Sequence, residues 1–265
     1  MYITKSLVSV FFAIAVLPLL SVRAEASGKP SVAELAAITE RGRMLAQYDW
    51  VAWHATDAVM AAHPKADPTG RYIAYKTEAG WVVDFGRISA TGDKFLVAHE
   101  AVLAVGSARF QVKSFDPMRE DTGWTLSAAK GIELASDDFG RTDRPYNIAV
   151  LPAERGGLYV YLYPAQVEDG VYPLGGDVRY RVSSDGAKIE QKRQLHKSII
   201  ETAPASSAET VAGGYHVHVL SDLPEDTDVM FVLTRKPSMP EMVLAGAWVY
   251  AIDVHGAISV TDRPR

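Results

Sequence analysis

His216 and His218 stand one residue apart in GYHVHVL, and Asp222, Glu225, Asp226 and Asp228 follow within the next ten positions. Imidazole and carboxylate are ligand types that zinc takes, and this is the densest collection of both in the chain. On a strand, residues i and i+2 project from the same face. The two imidazoles therefore point one way, and Tyr215, Val217 and Val219 the other. Three protein ligands with one open position are what a hydrolytic zinc requires, because the vacant place holds a water whose pKa falls to about 7. A nearby carboxylate then takes the proton. Asp222, Asp226 and Asp228 are all close enough in sequence to serve, and spacing does not rank them. A plainer reading stands beside this one. Alternation of apolar and polar residues is what any half-buried strand shows, with the histidines on its wet face and Val217 entering the core. The acids of EDTDV, just before VMFVLTR, then cap a helix at the end where its dipole favours negative charge.

The stretch HVHVLSDLPEDTDVMFVL, followed by PEMVLAGAWVYAIDVHGAISV, resembles the JAB/MPN (JAMM) metalloproteases. In that family a strand H-x-H leads through a loop to a serine and an aspartate at a helix start, and further strands follow. The resemblance implies a zinc ion with His216 and His218 as ligands and Asp228 as the third. It also implies an upstream acid that activates the zinc-bound water. Glu154, just ahead of the glycine-rich start of GLYVYLYP, is the best placed. Asp228 falls one residue short of the family's spacing, whose slot is held here by Val229, and Val219 stands where the family has proline. The resemblance leaves the N-terminal half of the chain unexplained.

Stepping outward, the elements that must carry these residues are of mixed type. SVAELAAITERGRMLAQYDWVAWHATDAV opens with Ser31 and Glu34 at capping-box spacing and repeats apolar residues at helical intervals. This predicts an amphipathic helix of about 22 to 27 residues beginning near Ser31, with Gly42 as its weak point. RYIAY, GWVVDFGRI, KFLVAHEAVLA and RFQVKSF are short, β-branched and aromatic runs parted by glycine-containing turns, which reads as an antiparallel meander. A middle helix is expected between Asp116 and Gly140, and then a second antiparallel strand set. The clearest hairpin is SSDGAK, where Asp185-Gly186 supplies the turn, and a polar linker from Glu201 to Gly214 separates it from the histidine strand. Runs of strands interrupted by helices without regular βαβ alternation indicate an α+β fold. Residues 25–265 read as a single unit, with residue 140 as a possible point of division. His54, His63, His99, His196 and His255 each stand alone among ordinary polar groups and read as structural.

Composition bounds the function. The first 24 residues have Lys5, an apolar run from Leu7 to Leu20 and small residues before Ala24, the pattern of a cleaved secretory signal peptide. The expectation is an exported protein, periplasmic or secreted, with no membrane span in the mature chain. The full chain carries −5; a cut after Ala24 removes Lys5 and Arg23 and no acid, leaving −7. That balance argues against nucleic acid as a partner. Cysteine is absent, so there is no thiol nucleophile, thiolate metal site or disulfide. No nucleophile elbow, phosphate-binding loop, dinucleotide fingerprint or H-E-x-x-H occurs. Two classes remain: a nonenzymatic exported protein that binds a ligand or partner, through its sheet or the Trp50/Trp53 region, and a zinc-dependent hydrolase built on the His216-x-His218 segment.

Overall fold

The computed structural model describes residues 29–64, 70–202 and 211–264. The expected signal peptide and most of the expected linker lie outside the described residues. Helix α1 (Val32–Ala62) begins as the sequence predicts: Glu34 N–H donates to Ser31 Oγ, and Ser31 N–H donates back to Glu34 Oε2. The helix is 31 residues long, longer than expected, because Ala55 and Val59 continue its buried stripe and the first breaker is Pro64. Strands β1 (Arg71–Thr77), β2 (Gly80–Ile88), β3 (Phe95–Ala104) and β4 (Gln111–Asp121) form the antiparallel meander in chain order. Helix α2 is confined to Trp124–Phe139. The residues from Asp116 to Asp121, expected as helix, belong instead to β4, which pairs along β3 and sets Arg119 against Asp84 and Glu100.

Then come β5 (Tyr146–Pro152), β6 (Leu158–Pro164), β7 (Tyr172–Gly175), β8 (Val178–Val182), β9 (Ile189–Gln194) and β10 (Ile199–Thr202). A second sheet has the order β5-β6-β8-β9, and β7 pairs with β10. The β8–β9 hairpin turns at Gly186, whose φ of 75° is the left-handed conformation that glycine adopts without strain. The last segment is β11 (Gly214–Val217), α3 (Asp226–Thr234), β12 (Glu241–Ala245), β13 (Trp248–Ile252) and β14 (Ile258–Asp262), with sheet order β11-β12-β13-β14. The fold is α+β, as read. One pair departs from the antiparallel expectation: β11 and β12 run parallel, which α3 permits by carrying the chain back between them. The histidine strand and the β8–β9 hairpin therefore lie in different sheets.

Two apolar clusters hold these layers. The larger packs the middle and C-terminal part of α1 and one face of α2 against the first two sheets, around Tyr48, Phe95, Val160 and Tyr180. The smaller joins Leu35 and Ile38 of α1 to Val229 and Val232 of α3 and Val243, Tyr250 and Ile252 of the last sheet. Gly42 is the point where α1 meets α3. A Cβ there would lie 2.5 Å from Val229 Cβ and 2.6 Å from the Asp226 carbonyl oxygen. The residue that looks like a helical weakness is thus what admits the start of α3. Among the described residues, no helix is long and apolar enough to cross a membrane.

Candidate metal centre

Four buried side chains converge from three places in the chain. His196 follows the end of β9, His216 lies in β11, His218 follows it directly, and Asp228 sits in the first turn of α3. His218 Nε2 is 2.9 Å from His196 Nε2 and 3.1 Å from His216 Nε2. Asp228 Oδ1 is 3.0 Å from His196 Nε2 and 3.1 Å from His216 Nε2, while its Oδ2 is 3.2 Å from His218 Nε2. Four donors around an ion at about 2.0–2.1 Å make a tetrahedron with edges of about 3.3 Å. The five separations above are within a few tenths of an ångström of that, and all four donors lie within 4.8 Å of one another.

The rings are oriented from behind. His196 Nδ1 is 2.7 Å from Asp177 Oδ1, His216 Nδ1 is 3.1 Å from Glu241 Oε1, and His218 Nδ1 is 2.7 Å from the Leu223 carbonyl oxygen. Each of these partners can only accept when ionised or a carbonyl, so each Nδ1 carries the hydrogen. A neutral ring then turns a bare Nε2 lone pair inward, and this is how metal-ligating histidines are held by outer carboxylates and carbonyls. Glu241 is itself anchored: Arg235, buried, has Nη1 2.8 Å from Glu241 Oε2 and donates through Nη2 to the Met239 and Pro240 carbonyls. Asp228 has two tasks. Its Oδ2 accepts the Glu225 N–H at 2.7 Å, closing the helix start, while Oδ1, close to two imidazoles, takes no hydrogen bond of good geometry from either. Three lone pairs and an unpaired carboxylate oxygen aimed at one point repel unless positive charge lies among them.

Without an ion, that charge comes from protons. Burial opposes an imidazolium at His196, but Asp228 and Asp177 outweigh it and push its pKa up to about 11. At His216 burial again opposes, and Asp228 and Glu241 push the value up to about 9. Burial raises the Asp228 carboxyl, and the three imidazoles, His196 foremost, override it and hold it well below the usual range. The same four donors could hold a metal ion in place of those protons.

The neighbouring acids have other partners. Asp226 accepts from Arg41 Nε at 3.0 Å, Arg179 Nη1 at 2.5 Å and the Tyr161 hydroxyl at 2.8 Å. Glu225 faces Arg193 at 2.5 Å; burial drives its pKa up to about 7 in spite of that partner. The structure thus brings together His216, His218 and Asp228, leaves Asp222 and Asp226 outside the group, and adds His196, which the sequence reading had set aside as structural. Glu154 is elsewhere: an exposed residue paired with Arg41 at 3.2 Å and accepting the Tyr159 hydroxyl at 2.6 Å. The faces of the histidine strand are also the reverse of the plainer reading. His216 and His218 are buried, while Tyr215 and Val217 are 72% and 52% exposed. The cause is that polar partners for the imidazoles lie on the inner side, so the strand turns its valines outward. Comparison with family models, curated proteins and solved structures finds no match.

Proposed function

We propose that this chain is a zinc-binding protein in which His196, His216, His218 and Asp228 hold one ion, and that the ion serves the architecture of a nonenzymatic ligand- or partner-binding protein. The observation that carries this is the donor set: four buried side chains, each ring held from behind. Zinc sites with four protein ligands are structural, whereas hydrolytic sites use three and leave a place for water. Three imidazole nitrogens with one carboxylate oxygen suit zinc better than the oxygen-seeking magnesium or calcium. Export to the periplasm or beyond, inferred from the N-terminal sequence, is part of the same proposal.

The hydrolase reading draws on the same histidines and on the JAMM resemblance. It needs an open coordination position and an acid beside the bound water, and Glu154 lies outside the cluster. Metal analysis of protein purified without chelator tests the proposal: about one equivalent of zinc per chain is expected, and none in a His216→Ala/His218→Ala double variant. Protein that takes up no zinc, or a double variant that retains it, refutes the assignment. Zinc-dependent peptide hydrolysis abolished by the same double variant would favour the hydrolase.

A further inference from the structure

Next to the metal centre lies a cavity of about 480 Å³ between α1, β6, the β7 segment and α3. Its lining includes Asp177, whose Oδ1 faces His196 and whose Oδ2 has no hydrogen-bond partner although the residue is only 2% exposed. Thr227, next to the ligand Asp228, also lines it, and its buried Oγ1 is likewise unpartnered. Both oxygens are sealed within the packed wall and are not reached from the cavity itself.

The opposite wall is α1. Asp49 and Trp53, one helical turn apart and so side by side on the helix surface, line this cavity and also two others, of about 630 and about 370 Å³. Asp49 accepts the Tyr163 hydroxyl at 2.8 Å, and no ion pair is formed by it among the described residues. Its pKa is raised by burial, which the Tyr163 hydrogen bond only partly offsets. Trp53 is 64% exposed, and Tyr163, Tyr172 and Phe231 add further aromatic side chains to the lining. Asp169 brings a third acid, while Lys236, exposed, is the one cation of the lining.

A carboxylate without an ion pair and an aromatic side chain beside it on the helix make one recognisable combination. An ammonium group is attracted to the face of tryptophan and to carboxylate alike, and it donates without accepting. We propose that this cavity binds a small organic ammonium ion, its charged nitrogen between Asp49 and Trp53. The site goes beyond the zinc assignment and does not depend on it, because Asp49 and Trp53 touch none of the four metal donors.

Calorimetry on the full mature chain, with tryptophan fluorescence as a second readout, tests this using 2-phenylethylammonium and tetramethylammonium as probes. The controls are 2-phenylethanol and phenylacetate. Saturable binding of at least one ammonium is expected, with the alcohol and the carboxylate weaker by about tenfold or more. Asp49→Asn and, separately, Trp53→Ala should each weaken the ammonium by about tenfold while bound metal is unchanged. Trp53 is exposed, so its variant folds even where Asp49→Asn does not. The proposal is overturned if neither ammonium binds, if the alcohol or the carboxylate binds as well as the ammonium, or if Trp53→Ala keeps full affinity.

Discussion

Replacing His196 by alanine separates a metal site from a mere cluster of buried charges. The substitution removes one of four inward donors and also takes from Asp177, almost fully buried, its only side-chain hydrogen-bond partner among the described residues. Two costs follow, and they appear under different conditions. Losing one member of a buried pair costs about 3–5 kcal/mol, and that loss is present with or without metal. Binding to the folded state alone stabilises it by about 4.1 kcal/mol when free ligand is a thousand times its dissociation constant. That second amount disappears when the variant no longer holds the ion. Urea denaturation of wild type and His196→Ala, each with excess zinc and each with a chelator, gives four curves. The wild type should show a zinc-minus-chelator gap of about 4 kcal/mol, the variant almost none, and the variant should lie below wild type even in chelator. A wild type with no gap refutes the metal site while leaving the charge cluster intact. A variant that keeps the gap and one equivalent of zinc shows that His196 is not a ligand.

In the metal-free protein, His196 and His216 have folded pKa values of about 11 and about 9, above the ordinary histidine value of about 6.5. Their contribution to stability is therefore fully present below about pH 6.5 and is lost as pH rises through about 9 to 11, which pH-dependent denaturation in chelator measures. Zinc affinity runs the other way, rising with pH from about 6 to 8, and calorimetry in buffers of different ionisation enthalpy should report about two protons released per ion. Gly42→Ala drives a methyl group into Val229 and the Asp226 carbonyl. It should destabilise by about 1–3 kcal/mol, outweighing the helix-propensity gain of about 1 kcal/mol; equal or greater resistance to urea would contradict the close approach of α1 and α3. Val217→Asp should change stability by no more than about 0.5 kcal/mol, and a large drop in melting temperature would place Val217 inside after all.

Much of the fold was legible where local signals agree with the final packing. The Ser31/Glu34 box starts α1, the glycine turns divide β1 to β4, and Gly186 closes the hairpin. Legibility failed where partners distant in sequence decide. The Asp116–Asp121 segment has no local sign that β3 will capture it. The H-x-H spacing disclosed two members of the cluster, and Asp228 entered through a family resemblance. His196 has no spacing relation to either, since only tertiary packing carries the end of β9 to the histidine strand. The outward face of Val217 was misjudged because alternation shows two faces without saying which is inner. A valine against a histidine favours the wrong choice whenever buried acids such as Asp228 and Glu241 await the imidazoles.

The three chain segments that meet at the cluster give an ion there a second role, that of a cross-link. Held by His196 at one end and Asp228 at the other, it would close a loop of roughly thirty residues, for which the chain-entropy model of a covalent bridge gives about 3.7 kcal/mol. This chain has no cysteine and so no disulfide to do that work. A staple of imidazole and carboxylate has no bond that a reductant can cleave and is indifferent to the redox poise of its surroundings. It yields instead to acid and to chelators, so the compartment's free metal, rather than its oxidants, would decide how firmly the C-terminal third is fastened.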